Sequence, residues 1–427
     1  MDLIALAVPF FLLALLLELA VDRWRGTGYY RANDAINSLS AGTLSTTIGY
    51  FTRYAPVYIS GFAFQHYAIF DIDAAWFDLS ARGLLLWICA ILAWDFCYYW
   101  AHRCGHEISI LWAAHAVHHQ SEDYNLSTAL RQTSTGFLFN WVFYLPLFLI
   151  GLPIEVVATA NAIDLIYQFW VHTRHVGRLG WLDYVFVTPS NHRVHHAQNE
   201  VYIDRNYGGI LILWDRLFGS FQPELDEEPV VFGVRKPLAS WNPFWANWQV
   251  YDYLLFDARR TRRWRDKLKV WFGRTGWRPD DVARRYPKRN ADIATFRRYD
   301  PAVSSSVKRY AIAQFAVAAI GVLGIGVLYA QQGLAAVVVP CVALWALLFA
   351  LGRLLEGRAD ALRIETLRLI IVMPLLVFAW LLQPSPSPSP VLLAAAATIY
   401  VGVSLLALIA SRRNRPQPAR EGTAVGP

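Results

Sequence analysis

"WICAILAWDFCYYWAH" (residues 87–102) runs without a break into "RCGHEISILWAAHAVHH" (residues 103–119), so an apolar stretch ends in a cluster of histidines. The first part lies in a stretch, residues 82–101, long and apolar enough to cross a bilayer as a helix. The second part puts His102 and His106 at i and i+4, and His115, His118 and His119 at i, i+3 and i+4. Those positions share a helix face, so each H-x-x-H-H is expected to present three imidazoles in one direction. This junction decides the reading of the chain: metal-ligand chemistry at the edge of a membrane.

Composition supports the first half of that reading. Of 427 residues, 56% are hydrophobic, 15% aromatic and only 17% charged, a balance that overrides the prior of two or three soluble domains. Further apolar stretches occur near 3–21, 36–62, 309–330, 334–352, 365–382 and 391–410, with a pair at 136–152 and 154–171 split by "GLPIE" into a tight hairpin. The N-terminal stretch lacks a basic leader and is long, so it reads as a retained helix and not a cleaved signal peptide. Cys89, Cys97, Cys104 and Cys341 have no C-x-x-C spacing, so neither a disulfide framework nor a thiolate zinc site is suggested; Cys104 reads as a packing residue.

Net charge is +7 but uneven. Between Arg259 and Arg309, 17 Lys and Arg face 5 Asp and Glu, an excess of +12. In a membrane chain this marks a cytoplasmic face beside anionic headgroups, and no nucleic-acid partner is expected. The basic "VDRWRGTGYYR" places the end of the first helix inside, and three crossings then bring His102 to the cytosolic surface. At the other end, "GRLLEGRADALR" (352–363) and "SRRNRPQPAR" (411–420) are basic while "QQG" and "QPSPSPSP" are not, which four helices starting and ending inside satisfy. Arg353, Glu356 and Arg358 fall in a predicted loop there, so no charge inside the membrane is expected. The Pro/Ser tract at 383–390 reads as a short external loop, and 412–427 as a disordered tail.

Ten of the eleven histidines lie between residues 102 and 196; "HTRH" (His172, His175) and "HRVHH" (His192, His195, His196) complete the set, and only His66 lies outside. Crowded imidazolium ions repel and buried neutral rings need partners; a bound metal resolves both. So many ligands suggest a dinuclear site, and imidazole alone does not name the metal. Aromatics upstream (Phe96, Tyr98, Tyr99, Trp100, Tyr167, Phe169, Trp170) suit either a slot for an acyl or alkyl chain or an ordinary interfacial belt.

The order H-x-x-x-H, H-x-x-H-H, an intermediate histidine and a second H-x-x-H-H resembles the fatty acid hydroxylase/sterol desaturase superfamily of membrane di-iron oxygenases. The flanking "DFCYYWAHRCGHEISILWAAHAVHHQSEDYNLSTALRQ" and "TPSNHRVHHAQNEVYIDRNYGGILILWDRLFGSF" are similar to its alkylglycerol monooxygenase branch. The likeness covers roughly residues 30–225. It implies that His102, His106, His115, His118, His119, His172, His192, His195 and His196 ligate two iron ions (Fe2+), with His175 either a ligand or a neighbour of one. Asn191 stands where relatives often carry another histidine and is not expected to ligate. Glu107 and Asp204, with Glu122 and Asp123, are candidates to hold ligand N–H groups, and Tyr207, Asn125 and Asn206 are polar neighbours.

The resemblance further implies O2 activation and hydroxylation of a lipid C–H bond in an alkyl glycerol ether, fatty acyl or sterol-like chain, or desaturation on the same site. No G-x-S-x-G, haem, ferredoxin or nucleotide fingerprint is present, so electrons come from outside, from tetrahydrobiopterin or an electron donor protein. The basic segment either docks such a donor or is plain lipid contact. A histidine-rich metal transporter is the rival class, but its ligands belong near the bilayer midplane, not past helix ends.

The expected fold is an all-α polytopic membrane protein, with a histidine-rich di-metal helical core at the cytosolic membrane face and a C-terminal four-helix transmembrane region. Its expected parts are an N-terminal transmembrane region (1–80), the di-iron domain (81–225), a basic linker (226–308), the C-terminal helices (309–411) and the tail (412–427). The compartment implied is a bacterial inner membrane. His195→Ala is expected to lower metal content and abolish activity while His66→Ala does neither; identical behaviour of the two sinks the assignment.

Overall fold

A computed structural model describes residues 3–288, 292–382 and 389–413. The Pro/Ser tract and the tail therefore lie outside the described residues, apart from positions 389–390 and 412–413. The chain divides into two compact units, Met1–Tyr299 and Asp300–Pro427.

The first unit contains α1 (Leu3–Arg25), α2 (Ala32–Thr52), α3 (Tyr54–Tyr67), α4 (Ala81–Glu107), α5 (Ser109–His119), α6 (Leu126–Ala129), α7 (Trp141–Ile150), α8 (Ile154–Trp170), α9 (Pro189–His195), α10 (Leu213–Leu217), α11 (Pro243–Arg260), α12 (Trp264–Phe272) and α13 (Asp280–Arg285). No strand occurs among the described residues, only isolated bridges such as Ile108 with Arg274. Among the described residues of this unit, α4 is the helix long and apolar enough to cross a membrane, and Ser80 caps its start by accepting a hydrogen bond from the Gly83 N–H at 3.1 Å.

The hairpin forms as its sequence suggests, though its first arm begins at Trp141, after a 3-10 turn at Gly136–Leu138. It turns at Gly151, whose φ of +107° lies in the left-handed region; an added Cβ would sit 2.0 Å from the Phe70 carbonyl oxygen. The two arms pack on α4 through Trp94, Cys97, Leu147, Phe148, Val156, Val157 and Ala160, and Trp94 stacks on Tyr144 at 4.1 Å. Where the competing solvent is hydrocarbon, such close packing holds helices together through dispersion and not through the hydrophobic effect.

The stretch 36–62, expected as one span, is instead α2 and α3, separated at Arg53. The Arg53 side chain turns back to donate to the Gly49 carbonyl. α2 is polar because most of its Ser, Thr and Asn residues are buried against protein: Asn37 donates to the Trp241 carbonyl at 2.7 Å, and half-buried Ser45 donates to that of Thr133 at 2.6 Å. α1 is also anchored by a buried acid. Glu18 accepts from the Leu126 N–H at 2.8 Å and from the hydroxyls of Tyr30 and Thr173.

The second unit contains α14 (Ser305–Gln332), α15 (Leu334–Leu355), α16 (Ala361–Leu367), α17 (Met373–Leu381) and α18 (Pro390–Arg413), with a π turn at Arg368–Val372 joining α16 to α17. Five helical segments among the described residues are long and apolar enough to cross a membrane: α4, α14, α15, the run Ala361–Leu381 and Ala394–Ser411 within α18. The protein is an integral, multi-pass membrane protein.

One expectation fails here. No charge was expected inside the membrane, yet Glu365 and Arg368, within the stretch read from residue 365, belong to the spanning segment Ala361–Leu381 and are buried. They pair bidentately, with two contacts of 2.7 Å. Tyr310 donates to Glu365, Arg368 donates to Tyr400 at 3.0 Å, and Gln314 donates to Ser404 at 2.8 Å. A buried pair is tolerable only when both charges are compensated in this way. Arg368→Leu leaves the carboxylate unpaired and is expected to cost about 3–5 kcal/mol, with Glu365→Leu/Arg368→Leu recovering most of it. Thermal midpoints of the detergent-solubilised variants check this, and a single variant no less stable than the double one contradicts it.

Candidate metal centre

The geometry begins at a helix break. α4 ends at Ile108, whose extended backbone (φ −111°, ψ 124°) folds α5 back along α4. His102 and His106 of α4 then face His115 and His119 of α5, with Nε2 atoms 3.1 Å apart in each pair. α9 brings His192, His195 and His196 against them. It starts with Pro189 in its first turn, where the missing N–H costs nothing. His172 follows the end of α8, and its Nε2 lies 3.2 Å from that of His118.

The nine histidines form two groups in which the ligating atoms lie within 4.8 Å of one another: His102, His106, His115, His119 and His195, and His118, His172, His192 and His196. This differs from the expectation that each H-x-x-H-H acts in one direction. The i and i+4 members stay together, but the i+3 member crosses to the other group. His118 joins His192 and His196, and His195 joins His115 and His119. The cause is the helix period: consecutive residues diverge by about 100° around the axis, so His118 and His119 cannot aim at one point. The groups adjoin, with the rings of His119 and His196 stacked at 4.3 Å.

Backbone carbonyls orient the rings. His102 Nδ1–H donates to Tyr207 (2.7 Å), His118 to Arg131 (2.9 Å), His172 to Gln168 (2.8 Å) and His195 to Arg205 (3.0 Å). A carbonyl only accepts, so each of these Nδ1 atoms carries the proton and each neutral ring has a bare lone pair at Nε2. The consequence is sharpest between His118 and His172, where two lone pairs meet at 3.2 Å with no hydrogen between them. His195 Nε2 and His192 Nδ1 are buried without partners. Protonation offers no relief: burial pushes His118 down to about 4 and His195 to about 3, and carries His115, His119, His172, His192 and His196 well below the usual histidine range. Converging, desolvated lone pairs on neutral imidazoles fit divalent cations.

The carboxylates expected to hold ligand N–H groups lie elsewhere. Glu107 pairs with Arg103 at 3.0 Å, Asp204 lies 3.7 Å from Arg274, Glu122 accepts from the Tyr299 N–H, and Asp123 pairs with Arg31 and Arg298. Among the described residues none of them bonds to a clustered imidazole. Asn125 caps α6, and Asn191 donates to the Asp183 and Phe186 carbonyls. Tyr207 contributes its carbonyl to His102; its buried hydroxyl has no partner, and its ring lies 5.3 Å from that of His106. His175 stands outside both groups, its ring 5.1 Å from Tyr29. His66 lies beside Phe62, away from both.

The acceptor loop is shaped by Asp204 and Asn206 in a role other than the one expected, and by Asp95, Asp215 and Arg131, which the sequence did not single out. Asp204 and Asn206 adopt left-handed backbone (φ +58° and +57°) on either side of Arg205, which bends its carbonyl toward His195. Asp215 accepts from the Tyr207 and Gly208 N–H groups, both at 2.7 Å, and Asp95 from those of Ile210 (2.8 Å) and Leu211 (3.0 Å). Buried Arg131 donates to Gln120 while its own carbonyl holds His118. The signals were the lone acid in an apolar helix and the "NYGGIL" turn.

Fold and centre together define a class: integral membrane proteins with two adjoining histidine groups, able to hold metal ions, at the end of a spanning helix. The fatty acid hydroxylase family profile matches residues 87–220. Over most of its length the chain is similar to alkylglycerol monooxygenases: 37% identical to that of Danio rerio (92% of this chain, 87% of the relative) and 34% to that of Homo sapiens (90% and 85%). An ornithine lipid hydroxylase, OlsE of Rhizobium tropici, is 34% identical over 30% of this chain and 39% of its own. No solved structure gives a significant match. The chain belongs to the alkylglycerol monooxygenase family within the fatty acid hydroxylases, and it is a lipid monooxygenase, an oxidoreductase.

Gly209 tests the acceptor loop. An added Cβ would sit 2.6 Å from Asp164 Oδ1 and 2.9 Å from Tyr98. Gly209→Ala is expected to cost about 1–3 kcal/mol through overpacking and to lower metal content with it. Gly324→Ala, where nothing lies within 4 Å, leaves both unchanged. A wild-type thermal midpoint for the Gly209 variant refutes the packing argument.

Proposed function

We propose that the protein is a di-iron monooxygenase that hydroxylates an alkyl chain of a membrane lipid, with an alkyl glycerol ether as the leading substrate. The observation that carries this is the meeting of two bare Nε2 lone pairs, on His118 and His172, within a nine-imidazole cluster at the end of α4. The names of the extended relatives support the ether over a fatty acyl or sterol-like chain.

In this reading the five-membered group holds one iron and the four-membered group the other. Bound there, iron supplies activation of O2 and attack on an unactivated C–H bond. The chain's own part is positional. Carbonyls of Arg131, Gln168, Arg205 and Tyr207 keep four Nδ1 protons in place, so that Nε2 stays basic and aimed inward. Burial of the cluster excludes water, which protects a strong oxidant from side reactions. α4 and α8 deliver the centre to the bilayer edge, where a lipid chain can rise to it without leaving hydrocarbon.

Electrons come from an external donor, tetrahydrobiopterin or an electron-transfer protein. In a bacterial inner membrane, the basic stretch 259–309 supports a cytosolic face for the centre. The parts expected from sequence, with residues 81–225 as the di-iron domain and 226–308 as a basic linker, belong to the same reading.

The test is to purify the protein, measure metal, and supply 18O2, reductant and a panel of alkyl glycerol ethers, fatty acyl lipids and sterols. Two irons per chain and one 18O atom in an ether product are expected. A new double bond without 18O supports the desaturase alternative, and zinc alone with no O2 uptake under any reductant overturns the reading.

A further inference from the structure

α12 carries a surface that the metal centre does not use. Its sequence, "WRDKLKVWF", places Trp264, Leu268 and Phe272 at i, i+4 and i+8, one stripe along the helix. All three are exposed, at 66%, 54% and 66%, while Val270 is buried on the opposite side. Three large apolar side chains in one row, open to solvent, are unfavourable in water and call for a partner. Arg262, Arg263, Arg265 and Lys269 are exposed beside the stripe. Arg265 lies over the Trp264 ring at 5.8 Å, and Lys267 turns away to donate to the Ala258 carbonyl at 2.8 Å.

The end of α12 is fixed to the end of the spanning helix. The Ser109 N–H donates to the Gly273 carbonyl at 3.0 Å, and the Thr275 N–H to that of Glu107 at 2.9 Å. Ile108 and Arg274 form a bridge between them. Phe272 is therefore held beside Glu107, the last residue of the spanning helix α4. An amphipathic helix with aromatic ends and basic flanks, at that depth, has the chemistry of an interfacial helix on anionic lipid.

We propose that α12 lies in the plane of the membrane surface, with Trp264, Leu268 and Phe272 buried at the boundary of headgroups and acyl chains and its cations on anionic headgroups. The bilayer, not a protein, is the occupant of this face. Because α12 is bonded to the α4–α5 junction, the same contact sets the depth of His102, His106, His115 and His119.

The test uses the full chain in phosphatidylcholine vesicles with and without phosphatidylglycerol, and with no other protein. Leu268→Cys and Phe272→Cys are labelled with a nitroxide, the parent chain is labelled in parallel to subtract its four native cysteines, and spin-labelled lipids serve as depth standards. Collisions with O2 and with a water-soluble nickel chelate are read by power saturation. The expected result is high O2 and low chelate accessibility at both positions, at a depth just below the phosphates. In the Arg265→Glu/Lys269→Glu background, the label becomes shallower only where phosphatidylglycerol is present. Free access of the chelate overturns the proposal and leaves the face to a partner such as an acidic electron carrier. Shielding from both reagents overturns it in favour of a second copy of the chain.

Discussion

The constraint on which the centre depends is that nine neutral imidazoles converge with their lone pairs inward. Four of them are locked in one tautomer by backbone carbonyls, so rotating a proton cannot relieve the convergence. Protonation is opposed by burial and by neighbouring rings of the same sign. Two cations, as proposed for the two groups, would remove the conflict at once. The crossing of His118 and His195 extends this to the pair of groups. Each H-x-x-H-H serves both, so α5 and α9 cannot shift relative to each other without disturbing both sets.

The loops around the centre follow from the same requirement. Arg131, Gln168 and the pair Arg205 and Tyr207 lie on three different segments, and each must present a carbonyl oxygen at hydrogen-bond distance from one ring. The 204–211 loop meets this with two left-handed residues, a glycine wedged against Asp164 and Tyr98, and two buried acids that bind its N–H groups. An uncompensated buried carboxylate is expensive, so Asp95 and Asp215 are fixed by the loop as firmly as they fix it. Glu18 of α1 acts in the same way on Thr173, beside His172.

Much of this was legible in the chain. The helical class, the spans of the second unit and the gathering of the nine histidines follow from apolar length and i, i+3, i+4 spacing. The roles of Glu107, Glu122, Asp123 and Asp204 were misjudged because carboxylates near ligands are conspicuous in a sequence, whereas carbonyl acceptors occur at every residue and leave no mark. The crossing of His118 and His195 was obscured by treating i+3 and i+4 as one face; the 100° between them matters once two targets lie side by side. Glu365 and Arg368 were missed although they lie in the stretch 365–382, because attention went to the charges of the preceding loop and a charged pair that neutralises itself leaves the stretch apolar on average.

The position of the centre at the end of α4, and not along its middle, has a backbone cause. In hydrocarbon every N–H and C=O must be satisfied within the protein, which leaves helices or closed barrels and excludes open loops. A centre oriented by carbonyls needs the opposite, since loop carbonyls must stay free of helix bonds to accept from imidazole. Only a site past the helix end, yet still buried by protein, meets both demands. There the loop carbonyls are paired by the histidines themselves, and the apolar helix below keeps a path to lipid. The ligand-orienting hydrogen bonds and the access of a hydrocarbon chain thus depend on the same few ångströms of depth at the junction of α4 and α5.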